Sequence, residues 1–308
     1  MYEERYVKSL GKGDLCIHVW KPDGEPVGIL QIVHGISEHA KRYDAFADYL
    51  NQRGFLVVAE DHMGHGKSVS DGDIWGYFHG GWFTAVEDTY QLLRETKNAF
   101  PDLPYVLFGH SMGSFMARTI LSKYPDSGID ACVLCGTCWQ PDALLSAGIA
   151  LCKRVCNKRG EQNTSRLLYK AVFGAFNARV EHQRTPFDWL TRVTSAVDEH
   201  IKDPMCGILP SAGLVRDMLS GISYIQDRDN MQRMDTSLPV FFVAGGEDPV
   251  GDYGSGVIKC AEKFKEVGLE NVAVRIYPLC RHELLNELNK AEIMEDIWEW
   301  IVACTRIK

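Results

Sequence analysis

Apolar and polar positions along the first third of the chain switch between two periods. Residues 15–20 and 27–33 are β-like segments, and 55–59 is a continuous apolar run of the kind a parallel sheet buries on both faces. Between the last two, residues 42–53 set Phe46, Ala47 and Leu50 at helical spacing. Residues 82–100 repeat the helical pattern, 105–108 are again apolar, 111–123 read as a helix stopped by Pro125, and 133–135 follow as a strand. Strands separated by helices of this length predict βαβ units, hence an α/β fold with a doubly wound, mostly parallel sheet.

The rhythm then stops. Between Thr137 and Leu238 no central strand is evident, only helix-like segments at 144–155, 166–176 and 186–193. The sheet resumes at 239–244, followed by a helix at 257–267, a strand at 272–277 and a last helix at 290–304. The late strands would have too few partners alone. The expected organisation is therefore one α/β core in two blocks, 1–136 and 239–308, with a helical lid at 137–238 inserted between them.

Composition narrows the class. Of the 308 residues 45% are hydrophobic and 24% charged, the profile of a soluble globular protein. A net charge of −8 gives no basic footprint for nucleic acid. The start, Met1 to Arg5, is charged with no apolar stretch behind it, and no segment approaches the roughly 18 apolar residues of a membrane span, so a cytoplasmic setting is expected. In that reducing compartment the ten cysteines are expected to be buried thiols. Cys132, Cys135 and Cys138, with Cys152 and Cys156 beyond, have a zinc-like spacing, but the first two fall in an apolar strand where Cys serves as a small hydrophobe.

Chemistry enters at Gly109-His110-Ser111-Met112-Gly113. A Gly-x-Ser-x-Gly pentapeptide directly between an apolar strand and a helix is the context of a nucleophile elbow. Gly109 and Gly113 suit a turn too tight for Cβ atoms. Ser111 then stands at a helix N-terminus, whose dipole favours developing negative charge. A serine hydroxyl needs a base and a group that orients the base. In this type of fold the acid, then the histidine, follow the serine along the chain. The downstream histidines are His182, His200 and His282; the first two fall among charged residues of the insertion and are expected to be solvated, whereas His282 occupies a turn after a strand. The acid is expected after the strand ending at Ala244, where Asp248 is the first choice, Glu247 its neighbour and Asp252 a further option. Backbone donors for an oxyanion are expected at Met112 and at Ile36, in the loop His34-Gly35-Ile36-Ser37-Glu38-His39. His34 and His39, with no carboxylates in register, read as structural residues and not as metal ligands.

These motifs resemble the α/β-hydrolase superfamily, in its branch of monoacylglycerol lipases and bacterial lysophospholipase-like hydrolases, a group also labelled serine aminopeptidase-like. The residues carrying the resemblance are Val33-His34-Gly35 with Glu38-His39 and Arg42-Tyr43, then Glu60-Asp61-His62-Met63-Gly64-His65-Gly66-Lys67-Ser68, the elbow, Gly245-Gly246-Glu247-Asp248, and Arg281-His282-Glu283. Within the insertion only Asp203-Pro204 is similar. The resemblance implies Ser111, Asp248 and His282 as a triad with Ile36 and Met112 as oxyanion donors. It implies a serine hydrolase that cleaves esters of monoacylglycerol, lysophospholipid or similar acyl groups through an acyl-enzyme on Ser111, with no metal or organic cofactor. Ser114 stands where the family usually has a further glycine, and is expected to tighten packing at the elbow.

Substrate choice falls to the insertion. Leu144, Leu145, Ala147, Ile149, Leu151, Cys152 and Val155 make a largely apolar helix beside Lys153, Arg154, Lys158 and Arg159, suited either to transient contact with a lipid surface or to packing on the core with a solvated basic edge. Phe173, Phe176, Phe187 and Trp189 either line an acyl tunnel or fill the insertion's own core. An aminopeptidase or amidase would need acids there to anchor an ammonium, for which Glu181, Asp188, Asp198, Glu199 and Asp203 are available. A non-catalytic scaffold of the same fold would lack a triad member.

Overall fold

The computed structural model describes residues 1–70 and 72–305. Among these, eight strands form one sheet: β1 (Tyr2–Lys8), β2 (Asp14–Trp20), β3 (Gly28–Val33), β4 (Phe55–Glu60), β5 (Tyr105–His110), β6 (Ala131–Cys135), β7 (Val240–Gly245) and β8 (Val272–Tyr277). Their order is β1-β2-β4-β3-β5-β6-β7-β8, antiparallel at β1 and β2 and parallel elsewhere. The strands β3 to β7 are buried along their whole lengths, because helices cover both faces. Successive side chains alternate between those faces: Tyr105 and Leu107 enter one core, Val106 and Phe108 the other.

On one face lie α1 (Asp44–Asn51) and, from the chain end, the helix Lys290–Thr305, through Phe46, Leu50, Ile293 and Ile297. On the other lie α2 (Trp82–Ala99), α3 (Met112–Lys123) and the helix Ser255–Glu266, through Val86, Met116, Ile120 and Phe264. Between β6 and β7 the chain leaves the sheet for α4 (Asp142–Arg159), α5 (Arg166–Phe173), α6 (Thr194–Lys202), α7 (Ala212–Gln226) and the short α8 (Arg228–Met231). It then returns to pair β7 directly with β6, Cys132 opposite Val240. The helix α7 packs against α2, α3 and α4, so the excursion is joined to the core through α3, the helix that follows Ser111.

Three local expectations change. Residues 186–193 form turns and not a helix, because side chains compete for the backbone: Asp188 accepts from the N–H groups of Arg184 and Thr185 and from Thr185 Oγ1, and Asn177 Oδ1 accepts the Trp189 N–H. α5 ends at Phe173, ahead of Gly174, instead of continuing to 176. β1 carries Glu3, Glu4, Arg5 and Lys8, charges that suit an exposed edge strand but erase the apolar signal of a strand. The second block expected at 239–308 ends with three residues that lie outside the described ones. Among the described residues, no helix is long and apolar enough to cross a membrane.

Cys132 and Cys135 are buried on β6 in opposite cores, so one metal ion cannot reach both. Burial pushes both thiols up.

Candidate active site

The parallel register aligns the strand ends. Val33 of β3 lies opposite Gly109 of β5, His110 opposite Cys135 of β6, and Gly245 of β7 opposite Tyr277 of β8. The loops leaving these ends share one edge of the sheet, where ligands bind in open α/β folds.

Ser111 connects β5 to α3 at φ 52 and ψ −120, outside the ordinary region for an L-residue. Such a conformation costs about 1–3 kcal/mol and persists only where its surroundings fix it. Its N–H donates to Cys135 O at 2.9 Å, and Ser114 Oγ donates to Ser111 O at 2.6 Å. Ser114, the departure from the family pattern, thus does more than fill space. The flanking glycines are steric requirements: a Cβ at Gly109 would lie 2.6 Å from Gly113 O, and one at Gly113 would lie 1.9 Å from Val33 O.

His282, in the loop after β8, places Nδ1 2.9 Å from Oδ2 of Asp248, which follows β7. The other Asp248 oxygen accepts the Val250 N–H at 2.9 Å, and the carboxylate has no solvent exposure. A carboxylate only accepts, so Nδ1 is the donor of this bond, and in the neutral imidazole Nε2 is then the acceptor. Glu247 and Asp252 are exposed and do not meet His282. Two further residues support the pair: Gly136, which sequence reasoning passed over, and Trp189, which it read only as a tunnel or insertion-core aromatic. Gly136 sits against the pair at φ +60, where a Cβ would come within 2.9 Å of His282 Cε1, and the Trp189 ring lies 5.0 Å from that of His282.

Ser111 and His282 line one cavity of about 50 Å³, together with Gly35, Ile36 and Ser37 on one side and Tyr169, Phe173, Phe187, Trp189 and Leu190 on the other. A Cβ on Gly35 would lie 3.1 Å from Ser111 Cβ, so this loop approaches the serine closely. Among the described residues the N–H groups of Ile36 and Met112 have no protein acceptor, whereas the Gly35 N–H is taken by Glu38 Oε1 at 2.6 Å. Met112 opens α3, where helix geometry leaves N–H groups unpaired.

Beneath the loop runs a buried charge network. Glu38 accepts from Gly35 N, Tyr43 OH and Arg42, and lies 3.1 Å from His110 Nδ1; Arg42 also grips Glu283 through both terminal nitrogens at 2.6 and 2.7 Å. Burial pushes the Glu38 carboxyl up, but His110 and Arg42 outweigh it and hold it well below the usual range. Burial likewise disfavours charge on His110, and Glu38 outweighs it, raising the imidazole. The sequence displayed all of these residues among its motifs without showing that they form one network.

His34 places Nδ1 2.8 Å from Gly35 O and its Nε2 accepts the His62 N–H, while His39 pairs with Asp203. His200, expected to be solvated, is buried beside Phe187 and lines the Ser111 cavity, whereas His182 is exposed. Among the acids available for an ammonium, Asp188 caps a turn, Asp198 pairs with Arg184 and Asp203 with His39. Neither they nor Glu181 and Glu199 line the cavity; among the described residues its carboxylates are Glu38 and Glu283, both paired with Arg42. Phe176 meets the Trp189 ring edge to face, outside the cavity. Two clusters hold metal-ligating types, Cys16/His18/Asp61 and His39/Asp203/Cys206, and in each the carboxylate is already engaged by backbone N–H donors.

The family described as "Serine aminopeptidase, S33" matches residues 24–289. The monoacylglycerol lipase of Mycolicibacterium smegmatis is 29% identical, covering 97% of this chain and 97% of that protein. The monoglyceride lipase of Rattus norvegicus is 24% identical over 93% of this chain and 86% of its own. Among solved structures, a thermostable carboxyl esterase from Bacillus coagulans, in complex with glycerol, superimposes with a TM-score of 0.92 at 30% identity over 99% of both chains.

Proposed function

The chain belongs to the serine aminopeptidase S33 family, in the α/β-hydrolase branch of the monoacylglycerol lipases, and from that membership we propose how its elbow works. It is a carboxylic ester hydrolase acting on monoacylglycerol-like substrates. Ser111 Oγ attacks the acyl carbonyl, giving up its proton to Nε2 of His282 while Asp248 stabilises the imidazolium through Nδ1. The carbonyl oxygen, negative in the tetrahedral intermediate, is received by the N–H groups of Ile36 and Met112. His282 returns the proton to the departing alkoxide, leaving an acyl group on Ser111. Water repeats the sequence and frees the acid.

The observation that carries this reading is the Asp248–His282 bond, buried against Gly136, facing the same cavity as a serine held at positive φ. In the test, a fluorophosphonate probe labels the wild type at Ser111 and leaves Ser111→Ala unmodified. Equal labelling of both removes the assignment.

Residues 137–238 act as the lid in this reading. Tyr169, Phe173, Phe187 and Trp189 supply an apolar wall opposite Ser111, and three of the four aromatics expected to line an acyl tunnel are among them. Leu145, Cys152 and Cys156 turn inward on α4, while Leu144 and Leu151 are exposed beside Lys153, Arg154, Lys158 and Arg159. That mixed face supports transient contact with an anionic lipid surface. Ester cleavage is favoured over the amide alternative because, among the described residues, no unpaired carboxylate faces the cavity to hold an ammonium. A cytoplasmic setting fits the ten free cysteines.

A further inference from the structure

The loop that carries Ile36 is held from two directions. From the core, Glu38 accepts the Gly35 N–H and His34 Nδ1 meets Gly35 O. Gly35 O and the Ile36 N–H belong to one planar peptide, so the core holds that peptide through its carbonyl side alone, beside a residue with glycine's backbone freedom. From the excursion, Gly207 N donates to Ser37 O at 2.9 Å, Ser37 Oγ donates to Ile208 O at 2.7 Å, and His39 Nε2 lies 2.8 Å from Asp203 Oδ2. The excursion side is itself a unit, because Asp203 Oδ1 accepts the Met205 N–H and Asp203 O accepts the Cys206 N–H. Ser37 is held at φ +59, a left-handed conformation that a serine keeps only when its neighbours impose it. Gly207 is seated as tightly, at φ +65 with a Cβ position 3.0 Å from the Phe187 ring.

We propose that the turn 203–208 is a positioning element for the Ile36 oxyanion donor, and that Asp203 and Ser37 are its positioning residues. The proposal rests on the assignment of the Ile36 N–H to the oxyanion. With residues 34 and 35 anchored on the core and 37 and 39 anchored on the turn, the Ile36 peptide has a fixed residue on each side. Removing the second anchor leaves it held by the single His34 contact on Gly35 O. Displacement of the excursion at 203–208 therefore disables the chemistry, and substrate entry has to come from movement elsewhere in the excursion.

The test uses the full chain and the single variants Ser37→Ala and Asp203→Ala, with the double variant. On p-nitrophenyl butyrate, each single variant lowers kcat about tenfold with KM within about twofold, since the donor acts on the transition state. The inhibition constant of a trifluoromethyl ketone, whose Ser111 adduct carries the oxyanion, weakens in the same proportion. The double variant loses less than the product of the single losses, because both contacts tie the same loop to the same turn. Lower thermal midpoints with kcat and the ketone constant at wild-type values overturn the proposal, as does a rise in KM alone. A wild type that the fluorophosphonate fails to label overturns the Ser111 assignment instead. Should Asp203→Ala not fold, Ser37→Ala, which removes one hydroxyl, decides the question by the same readouts.

Discussion

The sheet edge and the excursion above it are held in place by different means. At the edge the backbone sets the geometry: strand register aligns the loops, the glycines at 109, 113 and 136 permit close approach, and Ser111, Asp248 and His282 are all buried. In the excursion, side chains add to a few backbone bonds such as Gly207 N to Ser37 O and Glu283 N to Leu190 O. Arg281 donates to Asp188 O and Thr191 O, Arg192 pairs with Glu287, and Asp203 with His39. A backbone-built site resists change, because altering it means altering the sheet. A wall fastened by side chains can be retuned one residue at a time, which suits selection of substrate above a constant reaction.

The largest test of that division falls on the edge. Ser111→Ala and His282→Ala each lower kcat by about four orders of magnitude or more, and Asp248→Asn, which supplies a donor where Nδ1–H needs an acceptor, by about three to four. The combined variant is little worse than the worst single one, since the three residues act as a unit. Steady-state kinetics on a soluble ester measure this. Full additivity would mean that the residues do not share one step.

In the excursion, the expected change is in preference. Phe173 and Trp189 line the cavity of about 50 Å³ beside Ser111. Phe173→Ala shifts the ratio of kcat/KM for a palmitoyl over an acetyl p-nitrophenyl ester by about tenfold to a hundredfold, with the acetyl ester turned over as in the wild type. Equal losses on both esters would show that the wall supports the chemistry after all.

The two regions were also unequally legible in sequence. β4 to β7, the elbow and the loops bearing Asp248 and His282 follow from apolar runs bounded by glycine, because burial on both faces writes a continuous signal. The excursion carries no such signal. Its turns at 186–193 depend on Asp188 and Asn177 reaching backbone groups nearby in space, and His200, surrounded in sequence by Glu199 and Lys202, is buried by Phe187. Gly136 was missed because its role is a distance to His282, a residue far away in the chain.

Between the two regions lies the network of Glu38, Arg42, His110 and Glu283, which gives a smaller effect and a sign. Burial opposes charge on Glu283, but Arg42 outweighs it and holds the carboxyl down to about 2, below the ordinary 4.5. Its contribution to stability is therefore complete above about pH 4.5 and lost as pH falls toward 2. His110 is raised, so its contribution is complete below its ordinary 6.5 and lost as pH climbs through the raised value. The urea midpoint of the wild type passes through a maximum between these limits. Glu283→Gln removes one partner of a buried pair, costs about 3 kcal/mol near neutrality and flattens the acid limb. An unchanged acid limb would place the titrating group elsewhere.

The smallest effect lies on the outer face of α4. Leu144, in the first turn of α4, is 60% exposed and Leu151 46%, and Lys153, Arg154, Lys158 and Arg159 are exposed toward the C-terminal end of the same helix. Exposed leucines cost little in isolation, but beside four cations they offer an apolar insertion and an electrostatic approach to an anionic surface. The inward side of α4 is independent of them, since Leu145, Cys152 and Cys156 make its buried contacts. Leu144→Asp with Leu151→Asp therefore leaves the thermal midpoint and the turnover of a dispersed butyrate ester unchanged, while hydrolysis of monoacylglycerol in anionic vesicles falls about threefold to tenfold. Raising the salt should reduce the wild-type advantage on those vesicles, because the cations act through a screened field. If the paired substitution slows both substrates equally, α4 belongs with the catalytic wall and not with the membrane-facing surface.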